Sequence, residues 1–289
     1  MTTCDGDVPD WRIRSSEMDV TVDGYGTLKH GKFYVNDVPV LYMPYFLFPA
    51  KTTRQSGLLL PRFAYSMKKT GLDLEVPFYW AISENTDATF FQRYMEKRGF
   101  KEGVEFRYAP SEQSFGTFYA DYMKDRKQFD DPTEDIRPDW QGDENRWSLY
   151  WNHQTTFTDK SYLRTDIRKV SDRWYFRDFT GWNYYLDHYS TDDRKKFERV
   201  SFLGDETLAS LDSTVRFVRN WDFYNLTALG QYTDNFSTAS NDATLQRYPE
   251  IILTATKQPI SGGPAYIEFT TTYDYFYRTV GQKGHFYDL

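Results

Sequence analysis

Hydrophobic and polar residues alternate along most of this chain, with the two-residue period of a β-strand. The clearest run alternates the apolar residues Leu72, Leu74, Val76, Phe78 and Trp80 with Asp73, Glu75, Pro77 and Tyr79. The same alternation recurs in the segments 104–108, 117–122, 224–232 and 265–274. The pattern predicts an all-β protein whose strands have one apolar face and one polar face.

The length of the alternating runs divides the chain into two regions. Up to about residue 50 the runs are short and separated by turn residues, as in a small antiparallel sheet or jelly roll. Beyond that point they lengthen to about ten residues, the span of a tilted transmembrane strand. We therefore predict a first domain over 1–50 and a second domain over 51–289.

The connections between runs of the second region also differ in length. Short ones lie at 83–86, 110–113, 158–160, 220–222 and 261–263, and long ones at 124–145, 171–206 and 234–243. Outer-membrane β-barrels have short turns on one side and long loops on the other. The runs predict about eleven antiparallel barrel strands, and because bacterial single-chain barrels close with an even number, we expect an incomplete barrel.

The composition leaves more than one class of all-β protein open. Aromatic residues make up 19% of the chain, with 24 Tyr, 23 Phe and 8 Trp, which fits strands and the aromatic belts of membrane barrels. No apolar run approaches the roughly 18 residues of a membrane helix. A general porin-like barrel and a soluble all-β carbohydrate-binding domain remain the alternatives.

Net charge and cysteine content exclude several functions. The charge of −7 argues against a nucleic-acid partner. The single cysteine, Cys4, allows neither an internal disulfide nor a cysteine metal site. The N-terminus lacks the features of a signal peptide, which indicates either a cytoplasmic chain or a fragment of an exported protein. The strand pattern favours the fragment.

The acidic residues of the long loops do not predict an enzyme. Asp130, Asp131, Glu134 and Asp135 lie close together, but glycosidases need two carboxylates at a fixed separation on a rigid cleft. A loop run of this kind is typical of solvated surface. We expect no catalytic residue, no cofactor and no metal ligand.

Prolines interrupt runs that otherwise predict strands. Pro61 and Pro77 lie inside two successive runs, where a residue without an N–H weakens the ladder of hydrogen bonds. Such prolines are typical of edge strands or bulges, where they discourage wrong pairing. Pro44 and Pro49 flank "YFLF" where the two regions join, which predicts a rigid connector at the domain junction.

Several of these segments, taken in order, resemble the LptD (OstA/Imp) family of lipopolysaccharide-assembly proteins. The segments are "VPVLYMPYFLFP", "SGLLLPRF", "VPFYWAISENTDATFFQRYMEKRG", "EFRY", "RWSLYWNHQ", "KVSD…YFRDF" and "RYPEI". The resemblance implies the end of a periplasmic β-jelly roll followed by the first strands of a very large barrel in the bacterial outer membrane. It covers nearly the whole chain, but only the middle of the family's length.

The resemblance also implies partners and site residues. Lipopolysaccharide would arrive over an LptA-like periplasmic bridge and enter the outer membrane lipid through a lateral gate, and an LptE-like lipoprotein would plug the barrel. Pro61 and Pro77 match prolines that the family places in its first two barrel strands, beside that gate. Cys4 matches a cysteine that the family bridges to one near the end of its barrel, beyond this chain. Basic residues at inward positions would offset the net charge near the anionic substrate: Arg93, Arg107, Arg164, Arg168 and Arg216.

Overall fold

A computed structural model describes residues 11–21, 24–35, 37–50, 54–59, 61–127, 137, 144–179, 208–260 and 263–289. Within these ranges the protein is built from strands and one short helix, which confirms the all-β prediction. The strands are β1 Trp11–Arg14, β2 Glu17–Val20, β3 Tyr25–Val35, β4 Val38–Pro49, β5 Gly57–Leu58, β6 Arg62–Ser66, β7 Gly71–Ser83, β8 Thr86–Met95, β9 Gly99–Ser111, β10 Ser114–Asp125, β11 Glu144–Thr158, β12 Ser161–Val170, β13 Ser210–Asn220, β14 Tyr224–Asn235, β15 Gln246–Pro259, β16 Tyr266–Tyr277 and β17 Gly284–Asp288. The helix is α1, Tyr175–Asp178.

Strands β1 to β4 form a small antiparallel sheet of their own. β3 is its centre, with β1 and β2 paired along one edge and β4 along the other. One face of this sheet buries an apolar core made of Ile13, Leu28, Phe33, Met43 and Phe46. We refer to this group as the small-sheet core.

Strands β5 to β17 form one thirteen-stranded sheet in which each strand from β6 onward pairs with the next along the chain. β5 and β6 both pair with β7, so the thirteen strands occupy twelve positions. All the pairings are antiparallel. The period-two pattern thus predicted the antiparallel sheet and, to within one position, its number of strands.

In the large sheet the polar side chains of one face are buried and the apolar side chains of the other are exposed, which is the reverse of a soluble protein. On β7, Asp73 and Glu75 are buried, whereas Leu72, Phe78 and Trp80 are 43%, 39% and 46% exposed. We call the side of Asp73 the polar face and the side of Leu72 the apolar face. Because large apolar patches are rarely left in water, the apolar face indicates contact with a non-aqueous medium.

Strand register continues the two faces across the sheet. A row of directly paired residues on the apolar face runs over five strands: Trp80, Ala88, Phe106, Phe118 and Trp151. Directly paired residues share a face, so the register also places a set of five arginines on the polar face. They are Arg93, Arg107, Arg164, Arg168 and Arg216.

The connections define two ends of the large sheet. Turns 84–85, 112–113 and 159–160 lie at one end, which we call the turn end. Turns 67–70 and 96–98, together with the connections that follow β10, β12 and β14, lie at the other, the loop end. Among the described residues, no helix has the length and apolar character needed to cross a membrane.

Candidate functional site

The first strand position of the large sheet is short and broken. β5 has 2 residues and β6 has 5, whereas β7 beside them has 13. Leu58 lies opposite Phe78, but Arg62 lies opposite Glu75, so the first strand contains one extra residue between these pairs. Pro61 lies in this irregular stretch, as prolines in edge strands and bulges usually do.

Pro77 lies on β7, next to the same break. Its carbonyl oxygen accepts a hydrogen bond of 2.9 Å from the backbone N–H of Leu59. The N–H and C=O of a residue in a strand point to the same side, so the N–H that Pro77 lacks would have faced the first strand. Each missing ladder bond removes about 0.5–1.5 kcal/mol of stabilisation. Pro77 therefore removes one donor from the pairing in whose irregular stretch Pro61 lies.

The small-sheet core reaches the first strand of the large sheet. Leu58 and Phe63 pack against this core, and the rings of Phe33 and Phe63 meet edge to face with centroids 5.6 Å apart. Leu58 pairs with Phe78 and Phe63 pairs with Leu74, both on the apolar face. The apolar interior of the small sheet is thus continuous with the apolar face of the large sheet at its broken edge.

Arg54 anchors the segment that leads from the small sheet into β5. Its guanidinium donates to the backbone carbonyl of Glu84 at 2.5 Å and also binds the Tyr79 hydroxyl and the Asp87 carboxylate. Asp87 is buried and accepts a second hydrogen bond, of 2.7 Å, from Nε of Arg107. This ionic contact fixes the start of the first strand at the turn end of the polar face.

A buried ionic cluster lies at the loop end of the polar face. The carboxylate of Asp178 in α1 accepts hydrogen bonds from Arg137 at 2.6 and 2.7 Å and pairs with Arg98 at 3.2 Å and with Arg146. Burial acts to raise the pKa of Asp178, but the hydrogen bond from Arg137 and the charges of Arg98 and Arg146 outweigh it and hold that pKa below its ordinary value. The carboxylate is therefore ionised at neutral pH.

Tyr175 attaches the same helix to neighbouring strands. Its hydroxyl donates to Asp121 at 2.6 Å and accepts from Nζ of Lys101 at 2.7 Å. Burial, together with the charge of Asp121, raises the pKa of Tyr175 well above its usual value. The ring of Phe179 packs beside that of Tyr175 with centroids 4.9 Å apart. Residues 171–179, which follow β12, therefore pack onto the polar face.

The structure brings together some of the residues predicted from the sequence and separates others. Pro61 and Pro77 lie beside one pairing, at the edge of the large sheet. Pro44 lies within β4, where Lys29–Tyr45 and Gly31–Met43 are paired on either side of it, and Pro49 ends that strand. Cys4 and the acidic run 130–135 lie outside the described residues.

Sequence reasoning did not single out Arg54, Leu58, Phe63, Tyr175 or Asp178. Leu58 and Phe63 belong to the "SGLLLPRF" segment, and Tyr175 and Asp178 to the "YFRDF" segment, both of which contributed to the family resemblance. Within those segments no feature separates these residues from ordinary strand or loop residues, and Arg54 lies outside them.

Comparison with known proteins matches this chain to one named family. The family model described as "LptD protein" matches residues 29–260. An LPS-assembly protein LptD of Xylella fastidiosa is 45% identical over 95 residues, 32% of this chain and 12% of the relative. Two further proteins of that name, from Xanthomonas oryzae pv. oryzae and Haemophilus ducreyi, are 38% and 36% identical over 180 and 170 residues, 62% and 58% of this chain.

The matched region covers only part of these relatives, namely 20% of the length of the Xanthomonas protein and 21% of the Haemophilus protein. The family model nevertheless extends from β3 to the end of β15 and includes the broken edge strand, its prolines and the helix on the polar face. Because the family model matches most of the length of this chain, the chain belongs to the LptD protein family.

Proposed function

We propose that this chain forms part of the wall of an outer-membrane assembly that inserts lipopolysaccharide into the outer leaflet, at the place where the lipid leaves the assembly. One observation carries the proposal: the small-sheet core meets the exposed apolar face of the large sheet at its broken edge strand, through Leu58 and Phe63. An acyl chain held in the small sheet could follow this contact without crossing water. The proposal also rests on the relatives, which are named for lipopolysaccharide assembly.

The first strand would act as one side of a lateral gate. It joins β7 through the two residues of β5 and the five of β6, with Pro61 between them and Pro77 opposite. In lipid, an opened strand loses hydrogen bonds that no water replaces, at a cost of several kcal/mol for each unsatisfied group. A strand with fewer bonds to break costs less to displace, so opening at this edge would cost less than at a strand paired along its whole length.

The polar face suits the sugar portion of the substrate. It carries charged and amide side chains in mid-strand, including Arg93, Asn152 and Gln154, and its register defines the opposite side of the wall from the lipid. We assign this face to the barrel interior, where an LptE-like lipoprotein plug would also lie. We assign the small sheet, which pairs separately from the large one, to the periplasm, where an LptA-like bridge would deliver the lipid.

The same assignment determines which end of the wall faces the periplasm. Short turns of outer-membrane barrels face the periplasm and long loops face the exterior, so the turn end and the small sheet lie inside the cell envelope.

A soluble carbohydrate-binding domain would bury the face of Leu72, Phe78 and Trp80, which is exposed here. Transport along such a wall breaks no covalent bond, so the proposed role is not enzymatic.

The test replaces both prolines by alanine, Pro61→Ala with Pro77→Ala, in the intact protein in cells. The variant regains two backbone N–H donors beside the first strand, so the edge should be held more firmly and lipopolysaccharide should reach the cell surface more slowly. Pulse-labelling of lipopolysaccharide followed by surface accessibility measures this rate. The matched control is Pro110→Ala with Pro259→Ala, two exposed prolines on β9 and β15.

Barrel assembly should be unchanged in both double variants, and it is measured as resistance to unfolding in detergent at room temperature. Export at the normal rate in the first variant, with the protein present at normal levels, would contradict the gate. Equal slowing in the control would indicate a general effect of removing prolines from the sheet.

A further inference from the structure

We propose that the loop end of strands β6 to β10 carries a docking surface for the phosphate groups of lipid head groups in the outer leaflet. We call it the basic rim; its exposed members are Lys68, Lys69, Lys97, Lys124 and Arg126. The proposal deepens the proposed function, because it names the part of the wall that would receive the anionic head group. It places this contact beside the first strand.

The fold builds the rim from three separate segments, 67–70, 96–98 and 124–127. Three consecutive backbone carbonyls of the first segment accept hydrogen bonds from basic side chains of the other two. Met67 accepts from Lys97, Lys68 from Nζ of Lys127 at 2.5 Å, and Lys69 from Nε of Arg98 at 3.1 Å. These bonds draw the three segments together and leave the side chains of Lys68 and Lys69 exposed.

The charge of the rim is opposite to that of the chain. The three segments contain seven basic and two acidic residues, in a protein with a net charge of −7. Both acidic residues are engaged within the fold. Asp125 is fully buried and pairs with Arg98 at 2.7 Å, and a carboxylate oxygen of Glu96 accepts the backbone N–H of Leu72 at 2.9 Å. The exposed charge of these segments is therefore positive.

The surface next to the rim identifies the source of the phosphate as a lipid. Directly below it, on the apolar face, lies a belt of exposed side chains that includes Tyr65, Leu72, Tyr94 and Phe100. Tyr65 pairs with Leu72 and Tyr94 with Phe100, so the belt is continuous along two strand pairs. Cations above an apolar belt match a molecule with phosphates above acyl chains, whereas a free phosphate would gain nothing from the belt.

The test measures lipid binding by the whole chain in dodecylmaltoside micelles that contain bis-phosphorylated lipid A or the same lipid with its phosphates removed. The variant is Lys68→Gln with Lys69→Gln and Arg126→Gln. The matched control changes three exposed lysines elsewhere: Lys32→Gln, Lys160→Gln and Lys257→Gln. Native mass spectrometry counts the bound lipids and gives their affinity.

The wild-type chain and the control should bind the phosphorylated lipid more tightly than the dephosphorylated one. Near an anionic surface each basic residue contributes about a fivefold change in affinity, so the rim variant should lose about 100-fold for the phosphorylated lipid. Its affinity for the dephosphorylated lipid should be unchanged. Added salt should reduce the wild-type preference.

Each contrary result has its own meaning. A rim variant that keeps the wild-type preference, or a control that loses it equally, would overturn the basic rim and leave the proposed export function intact. Free inorganic phosphate that competes as well as the lipid would overturn the assignment to a lipid head group. A wild-type chain that binds neither lipid would contradict the proposed function itself.

Discussion

At the scale of single residues, Asp178 ties helix α1 to the loop end of the large sheet. Its side chain is 4% exposed and lies between Arg98, Arg137 and Arg146, whose side chains are at most 2% exposed. Three guanidinium groups in so little water are tolerated only with negative charge beside them. The carboxylate therefore stabilises the arginines of β11 and the adjoining loops as much as they stabilise it.

Asp178→Asn should lower the free energy of unfolding by about 3 kcal/mol, because it removes the charge that compensates buried cations. The wild-type carboxyl has a folded pKa below its ordinary value of 3.8, so the unfolded chain binds more protons as the solution is acidified. Wild-type stability should therefore fall as the pH drops below about 4, and the variant should show a flatter profile. Urea unfolding in a non-ionic detergent, followed by tryptophan fluorescence, measures both effects.

The matched control is Asp222→Asn, which breaks the exposed pair between Asp222 and Lys160 at the turn end. Exposed ion pairs contribute little to stability, so this variant should unfold like the wild type. Equal unfolding of Asp178→Asn and wild type at pH 7, or parallel pH profiles, would show that the cluster does not hold the segment.

At the scale of elements, the sequence predicted the strands well because their environment is uniform. Between lipid and a polar interior every second residue must change character, so the alternation of β7, β9, β10 and β14 is visible without any knowledge of contacts. Pro61 likewise indicated an edge or bulge position, which is where the structure places it. These features depend on neighbours in sequence.

Features that depend on distant residues were not predictable in the same way. The pairing of Arg98 with Asp178 joins residues 80 positions apart, and the contact of Phe33 with Phe63 joins two different sheets. Both involve residue types that occur many times in the chain. The division of the first strand into β5 and β6 was also missed, since it follows from register against β7 and not from the strand's own residues.

The apolar face gives an element-scale prediction. Phe78 lies near the middle of β7 and is exposed on that face. A lysine at the midplane of a membrane barrel costs about 2–4 kcal/mol, so Phe78→Lys should lower stability in lipid bilayers by that amount. Unfolding from phospholipid vesicles in guanidinium chloride measures it.

The control for this prediction is Val38→Lys, at an exposed position of the small sheet. It should leave the unfolding midpoint of the large sheet unchanged, because we assign the small sheet to water. A Phe78→Lys variant as stable as Val38→Lys would show that the apolar face does not meet lipid.

At the scale of the whole molecule, the two sheets differ in what they do with their apolar side chains. The small sheet buries one set of apolar side chains in its core, whereas the large sheet exposes apolar side chains along the face of Leu72, Phe78 and Trp80. Leu58 and Phe63 contact that core and also lie on the apolar face of the large sheet, so they join the two apolar regions. Because the same place has a broken strand pairing, an apolar substrate and a gap in the wall would meet there.

This continuity predicts where a substrate in transit touches the protein. A photo-activatable phenylalanine analogue at Leu58 or Phe63 should crosslink to lipopolysaccharide in cells, because both side chains line an apolar contact between the two sheets. The control places the analogue at Phe157, which is exposed on β11, distant from the edge strand in the order of the sheet. It should crosslink to membrane lipid at a level that does not depend on lipopolysaccharide synthesis. If blocking that synthesis left the adducts at Leu58 and Phe63 unchanged, or if Phe157 gave the same adducts, these side chains would be ordinary lipid contacts and the route would have to lie elsewhere on the wall.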